Sequence, residues 1–264
     1  MEQVAAKTAA RAALDAPTDQ SLRVPCYCEE NVWRLAYRKI HRENDSHLQY
    51  HVVFVTNPER CVPMFQQLAV ENPLKPCFWD YHVILFRSST ENDQSAKTFV
   101  LDIDSHLPYP CALDDYLKQV FPQELCWPRE YQPYFRWVPK DIIYFIFILW
   151  FNRLCQLRLF EKTHLFFRRV IDASVFLRNF SSDRMHMFNT ESKEWLSPPP
   201  TYDCISNSST CNLARYMKIS SEDQTKDTTA SENDVFGVVY SLTQLKARFE
   251  SWSYFFSYSL ILPN

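Results

Sequence analysis

A single glycine, Gly237, in 264 residues restricts this chain more than any other feature of its sequence. Glycine supplies positive-φ backbone and lets a ligand approach the main chain closely, and average usage of about 7% would place roughly 18 here. One glycine cannot write a dinucleotide-binding fingerprint, a P-loop or a kinase glycine loop. Nucleotide-dependent enzymes of those classes are therefore excluded. Hydrophobic residues at 46% and aromatics at 16% still give a sizeable core, so the chain is neither disordered nor fibrous.

Charge and cysteines narrow the classes further. Lys and Arg number 28 against 31 Asp and Glu, a net charge of −3. No basic field therefore draws nucleic acid or an anionic membrane surface. The nine cysteines are odd in number and scattered, with no C-x-x-C pair and no secretory signal. They read as reduced thiols of the cytoplasm or nucleus rather than a disulfide framework. Cys26-Tyr27-Cys28 sets its thiols too close together for a zinc knuckle, so no metal site is expected.

Along the chain, residues 1–23 are Ala-rich but carry Glu2, Asp15 and Asp19, unlike a mitochondrial presequence, and read as a disordered leader. Val32, Leu35, Ala36 and Ile40 recur at helical spacing within 29–42, with Glu29 and Glu30 in the first turn, where the helix dipole favours acids. His51 to Thr56 reads as a strand closed by Asn57-Pro58, as do Cys77 to Ser88 and Thr98 to Asp102. Residues 113–121 read as a short helix ended by Pro122, and Gly237 opens a late strand. Residues 142–151 are ten consecutive apolar residues. That is half of the ~20 a membrane helix needs, so no membrane association is expected. Residues 206–234 are polar and read as a loop, mobile over 218–234.

Chemistry concentrates around two places. Cys28 opens the 29–42 helix, where the dipole and free amides should lower a thiol's pKa and favour a nucleophile. The turn residues 90–95 make the strands on either side an antiparallel hairpin with its midpoint near 92 or 93. His82 then faces a residue between 102 and 104, so it meets Asp102 or Asp104; the register leaves both open. A carboxylate beside an imidazole holds its tautomer and stabilises its cation. Trp79 and Tyr81 alternate with Asp80 and His82 and read as core on the opposite strand face. Asp183 and Arg184 read as a structural ion pair with each other.

These residues carry a resemblance. The blocks Cys26-Tyr27-Cys28-Glu29-Glu30-Asn31, Trp79-Asp80-Tyr81-His82-Val83, Leu101-Asp102-Ile103-Asp104, Asn179 to Met187, and Gly237 to Leu242 occur in one order. Together with Pro198-Pro199-Pro200 they resemble the signature blocks of the protein N-terminal glutamine amidohydrolase family. The resemblance implies an α/β (α+β) fold with a papain-like or transglutaminase-like thiol core, an antiparallel sheet, and Cys28, His82 and Asp102 as the catalytic triad. It selects Asp102 where the register did not. It implies deamidation of N-terminal glutamine in proteins and peptides to glutamate, with release of ammonia, in the N-degron pathway. No cofactor is implied, and the expected protein is a monomer in cytoplasm and nucleus. Reading a free α-ammonium needs a buried acid, and Glu29, Glu30, Asp80 and Asp104 lie nearest the triad blocks. The single domain spans 24–250, interrupted by an apolar insert at 137–167 that departs from the family pattern, and 251–264 form an atypical tail. The competing classes are another thiol enzyme (transglutaminase-like or peptidase) and an inactive paralogue or binding module of the same fold.

Overall fold

A computed structural model of the protein describes residues 2–43, 46–57, 60–90, 97–122, 167–207, 211–218, 235–240 and 242–249. Most of the 137–167 segment, 219–234 and the tail lie outside them. The framework is a six-stranded antiparallel sheet built from β1 (Leu48–Thr56), β4 (His82–Ser89), β5 (Phe99–Leu101), β6 (Cys111–Ala112), β7 (Phe167–Asp172) and β10 (Val238–Tyr240), in the order β10-β7-β1-β4-β5-β6. Two ribbons accompany it: β2 (Val62–Met64) with β3 (Cys77–Trp79), and β8 (Phe188–Asn189) with β9 (Glu194–Trp195). The fold is mixed α/β, as the sequence implied.

The sheet is buried on both faces, and the strand period shows how. Val52, Phe54, Val83 and Leu85 pack into one apolar cluster; their neighbours Val53, Val55, Ile84 and Phe86 pack into another. Helices α1 (Glu2–Asp15), α2 (Cys28–Arg38) and α4 (Ala173–Asn179) cover the first face. Helices α3 (Leu113–Val120) and α6 (Leu242–Phe249) cover the second. A short helix, α5 (Leu213–Met217), lies within the stretch expected to be loop, with Leu213 and Tyr216 buried. No described helix is long and apolar enough to cross a membrane.

Two expectations are corrected. The segment read as a disordered leader contains α1, whose Ala9 and Ala13 are fully buried against α2. Alanine's small side chain and high helix propensity explain a close helix–helix seam that carries little hydrophobic signal. Asp19 fastens the end of this segment, pairing with Arg38 at 3.0 Å and Lys39 at 2.7 Å and accepting from the Tyr109 hydroxyl. The expected strand from Cys77 to Ser88 is two strands in different sheets, β3 and β4, interrupted at Asp80-Tyr81. That break re-aims the side chains on either side of it, with consequences for the site.

Gly237 sits at φ +73°, and a Cβ built there would lie 2.1 Å from the Val170 carbonyl oxygen and 2.5 Å from Ile171. The sole described glycine thus stands where β10 meets β7 too closely for any side chain. Gly237→Ala is expected to cost on the order of 2–4 kcal/mol from positive-φ strain and overpacking. Thermal unfolding would check this, with a midpoint lowered by about 5 °C or more.

Candidate active site

The site forms where the N-terminus of α2 meets the beginning of β4. The chain enters α2 through Cys26 at φ +67°, a left-handed conformation unusual for a residue with a side chain. Asn31, one turn into the helix, clamps the entering chain by donating to the Val24 carbonyl at 2.8 Å and accepting from its N–H at 2.9 Å. Tyr27 is fully buried and donates its hydroxyl to the Ser197 carbonyl at 3.0 Å. The N-cap residue Tyr27 makes no side-chain cap to α2, and in the first turn the Glu29 N–H bonds its own carboxyl.

Cys28 is 6% exposed, with its sulfur receiving the Val83 backbone N–H and its thiol directed to Glu29 Oε2 at 3.7 Å. The expected lowering of its pKa is overturned. Burial pushes the thiol well above its ordinary value, and the negative charges of Glu29 and Asp104 add to that; the Val83 amide opposes them. Desolvation outweighs the helix terminus because the thiol is almost wholly buried. The resting group is a neutral thiol.

His82, the residue before Val83, is fully buried. Its Nε2 lies 3.2 Å from Asp102 Oδ1, and its Nδ1 has no hydrogen-bond partner among the described residues. No hydrogen bond joins it to Cys28 in this structure. The hairpin register pairs Leu85 with Leu101 and Arg87 with Phe99, a midpoint at position 93 and within the expected range. Extended further, that ladder would set Asp104 opposite His82. The strand stops at Leu101 instead, and the chain turns with the Asp104 N–H donating to Asp102 Oδ1 at 3.0 Å. Asp102 is thereby the carboxylate brought to the imidazole, and Tyr116 of α3 donates to its other oxygen at 2.7 Å. Burial alone would lower the His82 pKa, but the Asp102 charge and hydrogen bond outweigh it and hold the imidazole above its usual range. Burial would raise Asp102; the His82 charge and the bonds from His82, Tyr116 and Asp104 hold it below the usual carboxylate range.

The interruption at Asp80-Tyr81 corrects the reading of Trp79 and Tyr81 as a separate core face. Trp79 stacks on the His82 ring, centroids 5.4 Å apart. Tyr81 reaches the other way and donates to Glu29 Oε2 at 2.9 Å. Period-two alternation does not run through a break between two sheets.

The four acids near the triad positions have separate fates. Glu30 receives a bidentate Arg184, Nε to Oε1 and Nη2 to Oε2, each 2.8 Å. That overturns the expected Asp183–Arg184 pair: Arg184 stands at φ +60°, which carries its guanidinium inward to Glu30 and under the Tyr202 ring, while the Asp183 side chain accepts the Met185 N–H. Asp104 pairs with Arg23 at 2.6 Å. Asp80 pairs with Arg60 at 3.1 Å on the surface, its side chain 54% exposed. Glu29 alone of the four is fully buried without a basic side chain hydrogen-bonded to it; its Oε1 has no hydrogen bond, and His186 Nε2 lies 3.5 Å away. Burial and then the Glu30 charge raise the Glu29 carboxyl to about 7. His186 also lies 3.3 Å from the Tyr81 hydroxyl. From the sequence Tyr81 reads only as core, and nothing there assigns chemistry to His186 or Tyr116; His186 and Tyr81 lie inside the motif blocks, Tyr116 outside them. No group of three or more His, Cys, Asp or Glu among the described residues is arranged to hold a metal ion.

The chain matches the family model described as N-terminal glutamine amidase over residues 23–148 and 150–249. It is 32% identical over 240 residues to the protein N-terminal glutamine amidohydrolase of Bos taurus, covering 90% of this chain and 91% of that protein. With the protein of that name from Homo sapiens it shares 31% over 237 residues, covering 89% and 91%. For Danio rerio the values are 29% over 187 residues, covering 71% and 73%.

Proposed function

The chain belongs to the N-terminal glutamine amidase family, and from that premise we propose that it is a hydrolase converting the side-chain amide of an N-terminal glutamine to the acid, with release of ammonia. Its substrates are proteins and peptides that begin with glutamine; the names of its relatives state protein N-terminal glutamine for them. The core is read as a papain-like or transglutaminase-like thiol core, with Cys28 as nucleophile, His82 as base and acid, and Asp102 as the group that orients His82. The observation that carries this reading is the His82 imidazole: Asp102 occupies one nitrogen, the other is buried with no hydrogen-bond partner among the described residues, and the next residue, Val83, gives its N–H to the Cys28 sulfur.

Each group then has a task. The carboxylate of Asp102 keeps the Nε2 proton in place, which leaves Nδ1 as an acceptor. Because the resting thiol is neutral, its proton passes to Nδ1 as the sulfur attacks the δ-carbon, forming the C–S bond and an oxyanion. Backbone amides at the uncapped start of α2 are the donors for that oxyanion. The imidazolium returns the proton to the nitrogen as the C–N bond breaks, and ammonia leaves a thioester. Water, deprotonated by the same imidazole, attacks the thioester and frees the γ-carboxyl group, while the thiolate recovers a proton. The new acidic N-terminus is read as preparing the substrate for arginylation in the N-degron pathway, with the enzyme a monomer of cytoplasm and nucleus.

Peptides beginning with Gln, Asn and acetylated Gln, incubated with the protein and followed by ammonia release and mass, test the reading. Conversion of the free Gln-peptide alone is the expected result. Backbone cleavage, amine transfer, or equal conversion of the acetylated peptide would overturn it.

A further inference from the structure

We infer that Glu29 binds the substrate's α-ammonium and so restricts the enzyme to glutamine at a free N-terminus; this rests on the N-terminal deamidation reading above. A buried ammonium needs an anionic partner within the site. Of the four acids around the site, three already have a cationic partner, an arginine. Glu30 is saturated by the bidentate Arg184, Asp104 is paired through Oδ1 with Arg23, and Asp80 faces solvent beside Arg60. Glu29 is fully buried, carries an oxygen with no hydrogen bond, and directs its other oxygen to the Cys28 thiol at 3.7 Å.

The spacing suits the substrate. In glutamine the α-nitrogen and the δ-carbon lie at most about 5 Å apart with the side chain extended. One residue can thus offer its δ-carbon to the Cys28 sulfur and its ammonium to the adjoining carboxylate. Asparagine, one methylene shorter, brings its amide carbon less far from its ammonium and so presents it to the sulfur less well. An internal or acetylated glutamine has no cation to offer and would leave a desolvated carboxyl unpaired.

His186 supplies the entrance. Its imidazole lies between Glu29 Oε1 at 3.5 Å and the Tyr81 hydroxyl at 3.3 Å, and its side chain is 24% exposed where Glu29 has no exposure. Burial keeps its pKa below the ordinary histidine value, so at neutral pH it is an uncharged and weak partner for the carboxylate. The arriving ammonium, a full charge, displaces the ring from Oε1. Tyr81 keeps its bond to Oε2 and holds the carboxylate in position.

Binding measured without turnover tests this. The Cys28→Ala protein is titrated calorimetrically with a Gln-peptide and with its acetylated form. Expected is a preference for the free amine of about tenfold to a hundredfold, as for a hydrogen bond to a charged group, lost when Glu29→Gln is added. Equal binding of the two peptides, or a preference that survives Glu29→Gln, overturns the inference, as does failure to bind either peptide. A second measurement leaves Glu29 in place: with the Glu side-chain carboxyls isotope-labelled, the Gln-peptide shifts the Glu29 carboxyl resonance to its ionised position and the acetylated peptide does not. An unchanged resonance overturns the inference even if Glu29→Gln fails to fold. Ammonia release by the wild-type protein separates the two levels, since an inactive wild type would sink the deamidation reading, whereas activity with no preference sinks only the role of Glu29.

Discussion

Cys28→Ala is expected to abolish ammonia release from Gln-peptides, lowering kcat/KM by about 10⁴-fold or more while the protein stays folded. Without the sulfur no thioester forms, and neither His82 nor an oxyanion pocket replaces that covalent route. The substitution removes a single buried atom, so its stability cost is on the order of 1 kcal/mol. A 10⁴-fold loss corresponds to about 5.5 kcal/mol of barrier, and loss of folded protein cannot account for that. Rates measured beside far-ultraviolet circular dichroism and a melting curve check both halves. Activity within tenfold of wild type would exclude the thioester route.

Substitutions at Asp102 carry the second large effect and separate charge from geometry. In Asp102→Asn the amide oxygen can occupy the Oδ1 position, where it accepts from both His82 Nε2 and the Asp104 N–H. The amide nitrogen then faces the Tyr116 hydroxyl, which can rotate to accept. The tautomer survives and the charge does not. A neighbouring carboxylate shifts an imidazole by roughly 1–3 pKa units, so the loss in kcat/KM is about 10- to 1,000-fold. Asp102→Ala removes the orienting oxygen as well and is expected to cost on the order of 10⁴-fold. The pH profile gives an independent readout. The base must be neutral imidazole, so activity falls on the acid side as His82 gains a proton. Asp102 holds that pKa above its ordinary value against burial, and in Asp102→Asn burial is opposed only by the smaller Asp104 and Glu29 charges, which moves the acid limb to lower pH. An unmoved limb would mean that His82 is not the titrating base.

Much of this was legible in the chain itself, and what escaped has a physical cause. The lone glycine excluded phosphate-loop enzymes, and the same residue proved to stand at a strand contact with no room for a Cβ. Turn chemistry at 90–95 set the hairpin, and with it the approach of His82 to the 102–104 segment, because antiparallel pairing is fixed by the position of its turn. The order of motif blocks gave the family. The leader escaped because a helix seam made of alanines has almost no hydrophobic contrast.

Local and near-neighbour features are written in the chain: the helix after Cys28, the hairpin and the family. Only tertiary structure decided the electrostatic state of the site. Whether Cys28 rests as thiol or thiolate, whether Arg184 goes to Asp183 or to Glu30, and which of four acids keeps an unbonded oxygen depend on enclosure by segments far apart in the chain. A helix dipole and a charge pattern can be read from neighbours in sequence. Desolvation is set by everything packed around a group, and for the buried Cys28 thiol and Glu29 carboxyl it is the larger effect.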